Sequence, residues 1–188
     1  FAVGVTQPYS AGIGGGAFLL IRLADGTMVA LDARETAPAA ATRDMYVVPG
    51  VAPKASLSGA LAVATPGLVA GLAEVQNKYG TLPLAQVMAP AIGLAREGFA
   101  LGPYAARMIE RMRKRIAAER FPETARVQFP PEGVVAEPGD ILVQPDLANT
   151  LSTIAEKGPS IFYTGEIGEK IVAEVQRRGG ILTLEDLA

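Results

Sequence analysis

The chain has 188 residues, with 17 Lys+Arg against 19 Asp+Glu and a formal net charge of −2, so it can form a domain with its own core and is not a polyanion binder by charge. It contains no His, Cys or Trp, which excludes His-assisted catalytic triads, thiol nucleophiles and zinc sites built on His or Cys. Any nucleophile that this chain supplies would be Ser, Thr, Lys or a carboxylate.

Both ends of the sequence favour a piece of a longer polypeptide. The first residues, "FAVGVTQP", are an apolar run without an initiator Met, which is typical of an element begun upstream. At the other end Thr183 and Asp186 have capping-box spacing, which predicts a helix start with only about one turn following it. We therefore expect a single, incomplete domain over residues 1–188.

A β-hairpin is predicted between Ala17 and Ala33. Its two apolar runs are joined around Asp25-Gly26, and Asp-Gly between strands is the strongest short hairpin signal. Both runs are apolar at nearly every position instead of alternating, which favours a hairpin covered on both faces. Residues 34–64 then form an irregular connection, and "ALAVA" near its end predicts a short strand.

The next two segments have a proline near the start and a glycine at the end, a pattern typical of helices. "TPGLVAGLAEVQNKYG" predicts a helix capped by Thr65, beginning at Pro66 and ending before Gly80. Its predicted buried stripe is Leu68, Leu72, Val75 and Tyr79. "LPLAQVMAPAIGLAREG" predicts a second helix ended by Gly98, and Pro90 should kink or split it. Its predicted stripe is Leu84, Val87, Met88, Ala91, Ile92 and Ala95.

A third helix, predicted over residues 103–120, is rich in cations. These are Arg107, Arg111, Arg113, Lys114, Arg115 and Arg120. They could form a nucleic-acid patch, but the absence of interleaved aromatics favours a solvated helix face. Residues 121–140 contain several prolines and predict a surface excursion. Further helices are predicted from Pro145 to Gly158, and from a Thr164 cap to Gly179. The apolar stripe predicted for the second of these helices is Ile167, Ile171 and Val175.

The glycine run "GIGGGA" begins at Gly12 and fits the dinucleotide-binding pattern G-x-G-x-x-[GA] only formally. That pattern requires a helix after the glycines, because the pyrophosphate binds at the helix N-terminus. Here a hairpin is predicted to follow, so nucleotide binding is disfavoured. Bare backbone is also needed at turns and where another segment or a ligand approaches closely. Since a hairpin returns alongside itself, the run should lie beside Arg34.

Arg34 ends the second predicted strand, where the chain opens into a loop. A guanidinium there can grip a carboxylate with two parallel hydrogen bonds. The alternative is an ion pair within the chain, with Asp32, Glu35 or Asp44 as partner. The residues by themselves leave both interpretations open.

Several ordered motifs resemble the large subunit of γ-glutamyltranspeptidase (γ-glutamyltransferase). They are "GIGGGAF" followed by the hairpin, "LDARETAPAAATRDMY", "AVATPGLVAGLAEVQNKYGTLPLAQVMAPAIGLAREGFAL", and the segment from "LVQPDLANTLSTIAEKG" to "GGILTLEDLA". The resemblance covers nearly the whole chain and is weakest in residues 103–137. Ala17 stands where many members have a further glycine.

The resemblance implies an α+β chain in an αββα sandwich of the N-terminal-nucleophile hydrolase kind, contributing a central hairpin and a mostly helical remainder. It implies a precursor that cleaves itself into a large and a small subunit, and a γ-glutamyl small molecule such as glutathione as substrate. Arg34 would bind the substrate α-carboxylate. No catalytic residue is expected in these residues, because the nucleophilic threonine would begin the small subunit, and no cofactor, metal or nucleic acid is expected.

Two rival interpretations remain at this point. One is a cephalosporin-acylase-like amidase that shares the fold and motifs but cleaves another side chain. The other is a non-catalytic relative that keeps the fold. No apolar run approaches the ~18–20 residues of a membrane span, so none is expected here. The resemblance to bacterial members implies a periplasmic or secreted protein, although the composition fits the cytoplasm equally well.

Overall fold

The computed structural model describes residues 1–116 and 120–188. In chain order these ranges form α1 (Ala2–Thr6), β1 (Ala17–Arg22), β2 (Met28–Ala33), a short 3₁₀ helix (Ala60–Ala62), α2 (Leu68–Tyr79), α3 (Leu84–Glu97), β3 (Phe99–Ala100), α4 (Pro103–Arg115), α5 (Pro122–Gln128), β4 (Ile141–Leu142), α6 (Pro145–Lys157), α7 (Ser160–Tyr163), α8 (Glu166–Arg177) and α9 (Leu184–Leu187). The predicted α+β chain, a hairpin with a mostly helical remainder, is confirmed. The helix predicted over residues 103–120 is α4, and residues 117–119 of that prediction lie outside the described residues.

One compact unit comprises residues 1–12 and 82–155 and is built mainly from helices. Helix α1 packs on α3, and β3 pairs antiparallel with β4. One buried cluster of this unit is formed by Leu101, Ala105, Ala106, Ile109, Ala136 and Leu142. Gln144, a buried polar residue, donates from Nε2 to the Val5 carbonyl at 2.8 Å, so its amide nitrogen has a hydrogen-bond partner.

The second compact unit comprises residues 13–81 and 156–188 and contains the hairpin. Strands β1 and β2 pair antiparallel with Ala17 opposite Ala33. Gly26 sits at φ 90° and its N–H bonds the Leu23 carbonyl at 3.0 Å, which closes the predicted turn. Asp25 Oδ1 accepts from the Thr27 N–H at 2.9 Å and fixes the same turn.

Burial along the hairpin alternates strictly among the described residues, so these residues bury one of its two faces. One face carries Phe18, Leu20 and Met28, which are 75%, 74% and 54% exposed. The opposite face packs against α2. The described residues cover only one face of the hairpin, and cover of the second face stays a prediction.

Helix α2 begins two residues later than predicted. Thr65 pairs with Thr36 in an isolated antiparallel bridge and lies two residues before the N-cap position. Gly67 is the N-cap instead, and the N–H groups of Gly67 and Leu68 donate to the Gly15 carbonyl at 3.1 and 3.0 Å. The buried residues of α2 are Val69 and Gly71, not the predicted stripe, because this helix rests on β2 through its small residues.

The other helical predictions hold with local corrections. Helix α3 runs unbroken through Pro90 and buries Met88, Ala91 and Ala95, three members of the predicted stripe. Helix α6 begins at Pro145 as predicted. The N-cap of helix α8 is Gly165 and not Thr164, because Thr164 is the C-cap of α7.

Two irregular segments proved to contain short helices. The "ALAVA" segment is a 3₁₀ turn and not a strand, since Ala62 N–H bonds the Gly59 carbonyl at 3.1 Å. Residues 121–140 contain α5, whose first residue is Pro122. Its surface ion pair between Arg126 and Glu123, at 2.8 Å, has the i,i+3 spacing of a helix. Proline counts mislead here because a proline in the first turn starts a helix without breaking it.

Candidate functional site

A pocket of about 660 Å³ lies in the second unit, at the carboxyl end of β2. Its walls come from the end of β2 and the residues that follow it, the start of α2, α7, and the last residues of α9. Three charged side chains line it: Asp32, Arg34 and Glu74. The fold therefore places the predicted binding residue, Arg34, in a pocket large enough for a small molecule.

The Arg34 guanidinium lies between a carboxylate and an aromatic ring. Its Nη2 is 3.2 Å from Glu35 Oε2, and its Cζ is 5.7 Å from the centroid of the Phe18 ring. The side chain is still 53% exposed. A half-exposed cation over a ring face keeps donors that a ligand can reach.

Of the three intrachain partners considered for Arg34, only Glu35 contacts the guanidinium in the described residues. Asp32 binds the backbone, because its Oδ1 accepts from the Arg34 N–H at 2.9 Å. Asp44 is 3.6 Å from the neighbouring Arg43. Glu35 Oε2 is buried and accepts no hydrogen bond within the described part of the chain, so its contact with Arg34 is a charge pair without hydrogen-bond geometry.

Gly16, in the glycine run, lies beside the backbone of Arg34, as the hairpin geometry predicts. A Cβ at Gly16 would stand 2.6 Å from the Ala33 carbonyl oxygen and 2.7 Å from the Arg34 Cα. No atom lies within 4 Å of a Cβ built at Gly12 or Gly14. Strand β1 follows the run, so the helix that a dinucleotide site needs is absent there. Glycine is thus required at position 16, where the chain entering β1 passes the end of β2.

Two further residues, one in the pocket wall and one next to it, were not identified from the sequence as part of the site. Tyr163 lines it, and its hydroxyl accepts from the Ala70 N–H in the first turn of α2 at 2.9 Å. Burial raises the pKa of Tyr163, although the hydrogen bond from Ala70 acts in the opposite direction. No local pattern marks this tyrosine, because its partner lies far away in the sequence.

Asp186 is the second residue. The predicted capping box with Thr183 is present, with the Thr183 N–H donating to Asp186 Oδ2 at 2.8 Å. Asp186 Oδ1 also accepts from the Ala39 N–H at 2.7 Å. The hydrogen bond from Ala39, followed by that from Thr183, lowers the pKa of this carboxyl below its usual value. The capping-box spacing predicted the cap but gave no sign of the bond to Ala39.

Other kinds of site find no support in the described ranges, 1–116 and 120–188. No group of three or more acidic side chains there could hold a metal ion. Within the same ranges no helix is long and apolar enough to cross a membrane.

The γ-glutamyltranspeptidase family model matches residues 1–188. The glutathione hydrolase proenzyme of Escherichia coli (strain K12) is 45% identical over 192 residues, covering 100% of this chain and 32% of that protein. The crystal structure of Helicobacter pylori γ-glutamyltranspeptidase superimposes with a TM-score of 0.88 at 40% identity, over 99% of this chain and 53% of that one. The chain thus spans about a third of the length of the E. coli relative.

A cephalosporin acylase from Bacillus halodurans has a similar structure, with a TM-score of 0.87 at 32% identity over 100% of this chain and 35% of that one. Likeness to these solved structures confirms the predicted N-terminal-nucleophile hydrolase fold. The arginine-bearing hairpin end and the helices around it lie inside the matched region, which is the whole chain. This chain belongs to the γ-glutamyltranspeptidase family.

Proposed function

We propose that these residues are part of the large subunit of an enzyme that cleaves γ-glutamyl amides, such as that of glutathione, and transfers the γ-glutamyl group to an amino acid, a peptide or water. The observation that carries the proposal is the match over the full chain, at 45% identity, to a relative named glutathione hydrolase proenzyme. The pocket beside a half-exposed arginine supports it, because a γ-glutamyl group presents a free α-carboxylate.

Arg34 is the residue proposed to bind that α-carboxylate. A planar guanidinium can donate two parallel hydrogen bonds to a carboxylate, and Arg34 lines a pocket at a strand end with half of its side chain accessible. The charge pair with Glu35 leaves further N–H donors for the ligand, since a guanidinium carries five. Each charge-assisted hydrogen bond contributes on the order of 1.5–3 kcal/mol.

The nucleophile is proposed to lie outside these residues, as the threonine that self-cleavage of the precursor exposes. Its hydroxyl oxygen would attack the γ-carbonyl, its α-amino group taking the proton, and the amine would leave with a proton. The acyl-enzyme ester would then pass the γ-glutamyl group to water or an amine. Among the described threonines, Thr36 and Thr65 pair in a bridge and Thr183 caps a helix.

The partner of this chain is proposed to be the small subunit of the same precursor. The exposed hairpin face, Phe18, Leu20 and Met28, supports this, because contiguous apolar groups on a sheet face mark an interaction surface. On this proposal residues 1–188 are a single domain that is incomplete without the small subunit.

The function is tested on the full-length protein. Intact mass and N-terminal sequencing are expected to show two chains, the smaller beginning with Thr, in a sample that turns over γ-glutamyl-p-nitroanilide. Arg34→Ala is expected to lower kcat/KM by on the order of 10²–10⁴-fold, because two charge-assisted bonds are lost. The matched control is Arg43→Ala, an arginine with a 94% exposed side chain, which should leave kcat/KM near the wild-type value. Equal kcat/KM values for the two variants would contradict the proposed role of Arg34 in binding the substrate.

A second candidate function is that of a cephalosporin-acylase-like amidase. The likeness to the B. halodurans acylase structure, at a TM-score of 0.87, favours it. Profiling the purified protein against γ-glutamyl anilides and cephalosporin side-chain amides separates the two, since an acylase would prefer the latter. A single unprocessed and inactive chain would instead indicate a non-catalytic relative.

A further inference from the structure

The Asp186 carboxylate joins two segments that both line the Arg34 pocket. Its Oδ1 accepts from the Ala39 N–H at 2.7 Å, in the segment that follows Arg34. Its Oδ2 accepts from the Thr183 N–H at 2.8 Å and from the Thr183 hydroxyl at 2.9 Å, at the start of α9. Helix α9 in turn places Leu187 in the pocket wall.

The chain on either side of Arg34 is fixed at three places. Arg34 is preceded by Ala33, which is opposite Ala17 in the hairpin. Thr36 forms its bridge with Thr65, whose N–H donates to the Thr36 carbonyl at 2.9 Å. The bond from Ala39 to Asp186 is the third place, and it connects residues 147 positions apart.

We propose that Asp186 is a positioning residue of the substrate site, which holds the segment after Arg34 so that the guanidinium meets the substrate carboxylate. This inference rests on the proposed function. An ionised carboxylate that accepts N–H bonds from both segments holds them more tightly than a neutral acceptor would, because charge-assisted bonds are the stronger ones. The role is exerted through the backbone, and Asp186 does not touch the substrate.

The hydrogen bond from the Ala39 N–H to Asp186 can be removed from either side. Asp186→Ala removes the acceptor, and Ala39→Pro removes only the donor. Ala39 is the first central residue of a turn in which the Ala41 N–H donates to the Pro38 carbonyl at 2.9 Å, a position where proline is favoured. Thr183→Ala is the matched control, since it alters the same capping box but leaves the bond between Asp186 and Ala39 in place.

Each variant is made in the full-length protein, and turnover of γ-glutamyl-p-nitroanilide is measured per processed enzyme. Asp186→Ala and Ala39→Pro are expected to raise KM about fivefold or more with kcat within about twofold of wild type, because the carboxylate contact acts equally in ground and transition states. Thr183→Ala should keep KM within about twofold of wild type. A thermal melt of each variant establishes that it is folded.

Several outcomes would overturn the role of Asp186. They are an unchanged KM in folded Ala39→Pro, an equal rise of KM in Thr183→Ala, or a fall in kcat alone. Failure of both test variants to fold while Thr183→Ala folds would make Asp186 a stability residue. A wild-type protein without turnover would overturn the proposed function, and this inference with it, and is distinguishable from the other results.

Discussion

Substitution of Gly16, which lies beside the Arg34 backbone, should destabilise the protein, while the same substitution at Gly14 should not. A Cβ at Gly16 would lie 2.6 Å from the Ala33 carbonyl oxygen, 2.7 Å from the Arg34 Cα and 2.8 Å from the Glu35 nitrogen. All three are backbone atoms, so no side-chain rotation relieves the clash. The backbone at the end of β2 would have to retreat by about 0.6–0.8 Å to reach 3.4 Å, where ordinary van der Waals contact begins.

The cost can be estimated from overpacking elsewhere. Forcing an extra carbon into a packed site typically costs about 1–3 kcal/mol, so Gly16→Ala should lower the free energy of unfolding by about that amount. Because the displaced atoms include the Arg34 Cα, KM for γ-glutamyl-p-nitroanilide should rise as well. Gly14→Ala is the control, since no atom lies within 4 Å of its Cβ position, and it should change stability by about 0.5 kcal/mol or less.

The assay is urea unfolding of the two variants and the wild type, followed by fluorescence or circular dichroism, with steady-state kinetics on the same preparations. The expected order of unfolding midpoints is wild type and Gly14→Ala together, then Gly16→Ala. If both variants unfold at the wild-type midpoint and keep its KM, the close approach of β1 to the end of β2 does not exist in solution.

Two further predictions concern hydrogen bonds between segments that are distant in the sequence. Tyr163→Phe removes the acceptor of the Ala70 N–H and should lower the free energy of unfolding by about 0.5–1.5 kcal/mol, measured by urea unfolding; no change would show that water replaces the hydroxyl. Burial alone would raise the pKa of Glu110, but hydrogen bonds from the Ala136 N–H and from Arg113 outweigh it and hold the pKa below the ordinary 4.5. Because the pKa is lowered on folding, Glu110 stabilises the protein fully above pH 4.5, and this stabilisation is lost as pH falls through the folded-state pKa. Glu110→Gln should therefore be less stable at pH 7 and lose less stability below pH 4.5, and parallel pH profiles of unfolding for the two proteins would refute this.

The sequence determined the elements that local chemistry encodes. Asp25-Gly26 produced the hairpin turn, because glycine adopts the positive φ that the turn needs at no steric cost. Pro145 marked the start of α6, and Thr183 with Asp186 marked the cap of α9. The hairpin pattern predicted Arg34 at a strand end, and the structure places it in a pocket there.

Only the tertiary structure decided which groups meet across the chain. Helix α2 begins at Leu68 with Gly67 as its N-cap, because the Gly15 carbonyl accepts the N–H groups of both residues, a partner that no local pattern reveals. The bond from Ala39 to Asp186 joins residues 147 positions apart, and the exposed hairpin face depends on which layer covers it. Local sequence fixes backbone preference and amphipathicity, whereas the partner of a carbonyl, a carboxylate or an apolar face is chosen when distant segments pack.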